Sequence, residues 1–423
     1  VLGACLAAAA ARPQPLPSEA EYEHLGPASC ATSVCHGKAT RDENSNVWLN
    51  EYRIWSRDDY HSDAYNVLRS DESKAMADKL GLSSAQTADV CLDCHADNIP
   101  ADKRGEKFQI SDGIGCEACH GGAEKWIESH AEDDATHANN LALGMYPTEK
   151  PEARAKLCLS CHVGTKEKFA DHDIMAAGHP RMSFELETFT VNQPAHYNVD
   201  EDYLERKGNI KSVNMWANGM VFKAQRQLDL IRSDLFSGHG LFPELAFFDC
   251  HACHHPMNER RMQATSVTGG LPPGMVQLDD SSFHMLMAIA SVVQPDAAST
   301  LREQVGRLHA ATTRGRDELR SQAGRLDGIL DDLVGSLGSH DYSDGDMRGI
   351  RLELLDKARR GEYHDFTSAE QAFLAVETLC IELGEYDQLS SSLDAWFETV
   401  RDEHDFDPGR YAAVARQFRE TVR

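Results

Sequence analysis

The 423-residue sequence predicts a mostly α protein in two parts. Short helices and loops threaded between repeated cysteine–histidine units come first, and an α-helical bundle follows. Three observations predict this. Strand-like alternation is scarce between 20 and 260. The unit Cys-x-x-Cys-His is written four times before 255 and not again after it. Beyond 280, apolar residues recur at helical spacing.

The first element is Val1-Leu2-Gly3-Ala4-Cys5, followed by alanines from Ala7 to Ala11 and a Pro-rich stretch. Small residues before a cysteine resemble the end of a bacterial lipoprotein signal, with Cys5 lipidated and membrane attachment through it. A cleaved signal ending in the alanine run is the alternative. Both readings export the protein to the periplasm or the extracellular face. Residues 1–19 are expected to be signal remnant, anchor and tether. No later stretch is long and apolar enough to span a bilayer.

Residues 20–262 hold the repeated units. Of 12 cysteines, eight form Cys91-Cys94-His95, Cys116-Cys119-His120, Cys158-Cys161-His162 and Cys250-Cys253-His254. This is the attachment signature of c-type haem. Two thiols add across the vinyl groups on one edge of the porphyrin, and the next histidine reaches the iron as an axial ligand. A looser unit, Cys30-AlaThrSerVal-Cys35-His36, places four residues between its cysteines. A longer loop still brings both sulfurs to the vinyls, so a fifth site is expected. Its alternative is a disulfide or a free thiol pair. Cys5 and Cys380 remain, the latter in an apolar helical setting that suits a core residue. Structural zinc uses two Cys pairs per metal and has no need of a histidine after every second cysteine. Disulfides explain those histidines no better. Glycines around the units are expected to let the backbone pass close to the flat macrocycle.

Twenty histidines leave fifteen beyond the five in the units, enough for a second histidine on every iron. His61, His130 and His179 are the leading distal candidates. His172 and His196 follow, and His24, His137 and His239 are weaker. Each has the alternative of a surface or hydrogen-bonded role. His251 and His255 flank the fifth unit too closely to serve the same iron.

Trp55, His61 and Ala64 after the first unit, Cys91-LeuAsp-Cys94-His95, the stretch GlyIleGlyCysGluAlaCysHisGlyGly from 113 to 122 with His130 after it, and Cys158-LeuSer-Cys161-His162 together carry a resemblance. Residues 27–165 resemble the multihaem cytochromes related to the tetrahaem electron acceptor of hydroxylamine oxidoreductase, the cytochrome c-554-like family. The resemblance implies that His61 and His130 are distal ligands to haems other than their nearest in sequence. It also implies haems stacked in close pairs for electron hopping. This sequence departs from the family in its expanded first unit and its additional unit at 250–254. It also lacks the family's histidine just before the fourth unit, for which His179 is the expected substitute.

A linker is expected over 263–280, centred on ThrGlyGlyLeuProProGly at 268–274. Residues 281–423 then read as the bundle. Leu301, Val305, Leu308, Leu326, Leu330, Leu333 and Leu337 form apolar stripes, more suited to a core than to a partner-binding seam. Thr367 and Glu370 read as a capping box, and Asp407-Pro408 as a helix start.

Composition bounds the function. Sixty-eight acidic residues against 42 basic give a formal charge of −26, which excludes nucleic acid as a charge-driven partner. A basic partner is favoured. Aromatics are 7% of the chain, so macrocycles are expected to fill part of the interior. Five covalent haem c groups within about 230 residues leave little room for a substrate pocket. The expected function is electron transfer between extracytoplasmic redox partners, basic or membrane-bound, with axial ligands, burial and nearby charge as the protein's levers. One alternative is a reductase of a small nitrogen or sulfur compound at a haem with an open position. Another is a haem subunit of a membrane redox complex or filament. Oligomeric state is not encoded in these patterns.

Overall fold

The structure is a computed structural model that describes residues 14–42, 47–238, 243–255, 267–268, 271 and 274–422. Cys5, His239 and part of the expected linker lie outside the described residues. The mostly α class holds: among the described residues there are eighteen α-helices and no strand. Backbone pairing is limited to two isolated bridges, His24 with Arg104 and Phe248 with Leu278. No described helix is long and apolar enough to cross a membrane. The chain divides into two compact units, 1–67 with 95–148 and 68–94 with 149–423.

The first unit is built from short helices, Glu51–Asp58, Tyr60–Val67, Cys116–His120 and His137–Ala142 among them. Helices this short are not stable alone, and polar anchors tie them together. Glu117, inside the third unit and buried, accepts the amides of Leu25 (2.8 Å), Gly26 (2.7 Å) and Ala123 (2.8 Å). Burial pushes its carboxyl above the ordinary value, against the pull of those amides. Two glycines beside this unit are closely approached by neighbouring backbone. A Cβ at Gly113 would stand 2.7 Å from the His61 carbonyl, and one at Gly121 would stand 2.5 Å from the Gly144 carbonyl. Both also have positive φ, which disfavours a side chain.

The core of the second unit is a helical assembly. The helix Ser212–Arg232 packs on Arg316–Gly338 and on Pro151–His162, with Ser281–Val293, Pro295–Ala311, Asp344–Arg359 and Phe366–Glu382 around them. The predicted stripe residues Leu301, Val305, Leu308, Leu326, Leu330, Leu333 and Leu337 are all buried, as is Cys380. Asp407 caps Pro408–Thr421 by accepting the Arg410 amide, as read from sequence. The capping box does not form. Asp365 caps Phe366–Glu382 by accepting the Ser368 amide (2.7 Å), two residues earlier than predicted. Glu370 instead accepts from Ser183 Oγ (2.5 Å) and pairs with Arg181 (3.3 Å). The 21-residue helix Ser212–Arg232 falls where short helices and loops were expected. Two thirds of it is buried, with every residue from Met215 to Ala224 inside, so its middle shows no polar face and no distinct stripe.

Candidate functional site

Each cysteine–histidine unit folds so that its reactive groups converge. In a helix, positions i, i+3 and i+4 share a face. The helices Asp89–His95, Cys116–His120 and Pro151–His162 therefore present Cys91, Cys94 and His95, then Cys116, Cys119 and His120, then Cys158, Cys161 and His162, each set on one side. The fifth unit is a tighter turn, Cys250–Ala252, opened by the Asp249 carboxylate on the His251 amide and closed by the His254 amide on the Cys250 carbonyl (2.8 Å). The first unit absorbs its two extra residues in a loop. Thr32 O accepts the amides of Cys35 and Gly37, and the His36 amide folds back onto the Cys30 carbonyl (3.1 Å). Among the described residues no two cysteines are joined in a disulfide.

Within the first unit of the fold, the Cys30 and Cys116 thiols are close enough to perturb each other, which holds Cys30 below its ordinary value and pushes Cys116 well above. The first and third cysteine–histidine units are thus neighbours at their thiols. His36 and His130 face each other with ring centroids 6.2 Å apart and planes 12° from parallel. His130 is nearest in sequence to His120 but stands opposite His36. The other ring nitrogen of each is engaged: His36 Nδ1 donates to Glu51 Oε2 (2.9 Å), and His130 Nδ1 to the Trp126 carbonyl (3.1 Å). His61 Nδ1 donates to Asp59 (2.9 Å) and His95 Nδ1 to the Ala64 carbonyl (3.0 Å). His24 is 1% exposed; Nδ1 donates to Asp97 (2.7 Å) and Nε2 is buried without a hydrogen-bond partner. His137 opens the helix His137–Ala142.

In the second unit of the fold, the Cys94 and Cys161 thiols are close enough to perturb each other, so the second and fourth cysteine–histidine units are neighbours. Lys168 ties them together, donating to Cys161 Sγ (3.1 Å) and the Asp93 carbonyl (3.0 Å). His162 packs on Phe184, centroids 4.6 Å apart, and edge-on to Phe189. His172 and His254 face each other at 6.3 Å and 34°. His179 Nδ1 donates to the Pro180 carbonyl (2.8 Å), and His196 lies edge-on to Tyr197. Around the fifth attachment site the field is acidic: burial, then Asp365, Asp279 and Asp280, push Asp249 up to about 8.

This chemistry fits haem. A ligating histidine characteristically gives its second ring nitrogen to a carboxylate or carbonyl, which fixes the tautomer and leaves Nε2 for the metal. His36, His61, His95, His130 and His179 all show Nδ1 held in that way. An imidazole nitrogen lies about 2 Å from a metal it binds and its ring centroid about 1 Å further, so two rings sharing one metal stand about 6 Å apart. Among the described residues no group of three or more His, Cys, Asp or Glu side chains is placed to hold a metal ion. A porphyrin needs only the axial pair from the protein.

Residues 29–121 match the family model of cytochrome c554 and c-prime. The match supports a c-type cytochrome of electron transfer, with haem c bound covalently. It spans the first three units and His61, a shorter stretch than the 27–165 resemblance, so His130 and the fourth and fifth units lie beyond it. No curated protein and no solved structure matches the chain.

The partners of the candidate histidines are what sequence reading missed. Asp59-x-His61 is a local signal that could have been found. Glu51 has none, because fifteen positions separate it from His36. Its placement involves strain: Leu49, whose amide donates to Glu51 Oε1 (3.0 Å), holds φ at 59°, unusual for a residue with a side chain.

Proposed function

We propose that the protein carries five covalent haem c groups and conducts electrons between redox partners outside the cytoplasm. The supporting observation is the nearness of thiols in pairs, Cys30 with Cys116 and Cys94 with Cys161. Thiols this near to each other would bring the thioether edges of two macrocycles close together, which favours electron exchange between haems. Cys30, Cys35, Cys91, Cys94, Cys116, Cys119, Cys158, Cys161, Cys250 and Cys253 carry the links, and His36, His95, His120, His162 and His254 the proximal ligation. His61 and His130 are proposed as distal ligands, with His179 and His196 as further candidates. When bound, haem iron supplies one-electron exchange. The chain's contribution is to orient the imidazoles, through Glu51, Asp59, the Ala64 carbonyl and the Trp126 carbonyl, and to surround the sites with negative charge.

The proposed partners are basic or membrane-bound redox proteins, and Cys5 is the proposed lipid anchor. Intact mass of the matured protein tests the reading directly. It is expected to exceed the polypeptide by five haems, with rapid mixing showing electrons redistributed among them. A mass showing fewer haems, or haems that reduce independently and do not equilibrate, overturns it. Cys5→Ser is expected to release the protein from the membrane fraction.

A further inference from the structure

The fifth attachment unit has no counterpart in the resemblance, and its iron has no assigned second ligand. Its neighbours at 251 and 255 are constrained. His251 is buried, with Nε2 directed to the Glu403 carbonyl (3.3 Å) and its ring beside Phe366 and Phe406. His255 follows the proximal histidine directly in sequence.

His172 is placed differently. Its ring faces that of His254 at 6.3 Å, close to the 6.2 Å between His36 and His130 and to the about 6 Å that two imidazoles on one metal require. Neither ring holds the other there. Both are positioned by their flanking segments. The His172 amide donates to Glu244 Oε1 (2.8 Å), and the same oxygen accepts the Ala246 amide (2.9 Å) in the turn leading to Cys250. Phe169 stacks on Phe247 at 5.1 Å and 10°, a second tie between the same two segments. Asp171 caps the helix His172–Ala177 through the Ile174 amide, which fixes the direction of its first residue. A ligand pair whose backbones are fixed by such supports is preorganised for its metal.

We propose that His172 is the second axial ligand of the iron held by His254, so that the fifth haem is six-coordinate and closed to small molecules. The assignment rests on covalent haem at 250–254. It makes this haem an electron carrier and removes it as an open position for a nitrogen or sulfur substrate.

The test uses the matured full-length protein and its His172→Ala variant. Peptide mass over 250–254 reports the covalent link, and electron paramagnetic resonance with carbon monoxide uptake by the reduced protein reports coordination. With haem present at 250–254, the variant is expected to convert one haem from low to high spin and to bind one more carbon monoxide per chain than the parent. Added imidazole is expected to restore the low-spin signal. A variant with its full haem complement and an unchanged low-spin population overturns the assignment. Absence of haem from the 250–254 peptide of the parent overturns the covalent reading instead, and is seen separately. His172→Met covers failed maturation of the alanine variant. It keeps a ligand in place, and is expected to raise the potential of one haem and introduce methionine–iron absorption, whereas parental spectra and potentials count against His172.

Discussion

At the scale of single residues, the histidines differ in what holds them. His36 and His61 give Nδ1 to carboxylates, whereas His95, His130 and His179 give it to backbone carbonyls. A carboxylate partner makes the imidazole a stronger donor and favours ferric iron. Glu51→Gln keeps the shape and removes the charge. It is expected to raise the potential of one haem by roughly tens of millivolts, the size of a severalfold loss of ferric stabilisation. Spectroelectrochemical titration of parent and variant checks this; an unchanged set of potentials argues against Glu51 as a tuning group. A different residue-scale device sits in the helical core. Buried Asp280 accepts from His309 Nε2 (3.0 Å) and pairs with His284 (3.4 Å). Burial opposes both charges, yet Asp280 is held below the ordinary carboxyl value by its histidines, and His284 is raised by Asp280. The depressed carboxyl contributes stability above its unfolded value near about 4, lost as pH falls through the folded value. The raised imidazole contributes fully below about 6.5, and that part is lost as pH rises through its folded value. Asp280→Asn is therefore expected to destabilise most between about pH 4 and 6.5, by about 3 kcal/mol. The penalty is expected to shrink above neutrality in thermal melts; a penalty independent of pH contradicts the pair.

At the scale of elements, the cap on Phe366–Glu382 separates two readings of one stretch. Asp365→Ala removes the acceptor of the Ser368 amide and is expected to cost about 1 kcal/mol, whereas Thr367→Ala is expected to stay within about 0.5 kcal/mol. Denaturant midpoints of the two variants check the contrast, and the opposite order restores the capping box. Elements were legible where their chemistry is local. The cysteine–histidine units depend on neighbours three and four residues apart, and the stripe from Leu326 to Leu337 carries the helical period directly. Ser212–Arg232 was not legible as one long helix, because unbroken burial from Met215 to Ala224 erases the contrast between faces on which the period depends. The meeting of Cys30 with Cys116, and of His24 with Asp97, was invisible for another reason. Both join residues more than seventy positions apart, and no spacing rule reports that. The Asp365 cap was missed because a Thr-x-x-Glu pattern records which residues could cap, not which carboxylate an arginine elsewhere has already taken. Arg181 takes Glu370, from almost two hundred residues away.

At the scale of the whole molecule, the excess of acidic residues is the feature a redox partner meets first. Several positive groups are already spent internally: Arg181 on Glu370 and Glu403, Arg232 on Asp327, and Arg351 on Glu385. A formal charge of −26 is therefore expected to act at long range as a negative field. Such a field raises the encounter rate of cations and lowers that of anions, and salt removes it once the Debye length falls to about 10 Å near 0.1 M. Two small reactants of similar driving force and opposite charge separate this field from any specific docking. A cationic ruthenium ammine is expected to exchange electrons with the reduced protein at least about tenfold faster than an anionic cyanoferrate at low ionic strength. The first rate is expected to fall with added salt and the second to rise, so that they converge. Stopped-flow rates across a salt series measure both limbs. Parallel salt dependence for the two reactants would mean that the haem edges see a local environment unlike the net charge. The preference for a basic partner would then have to rest on a patch around one exit haem instead of on the molecule as a whole.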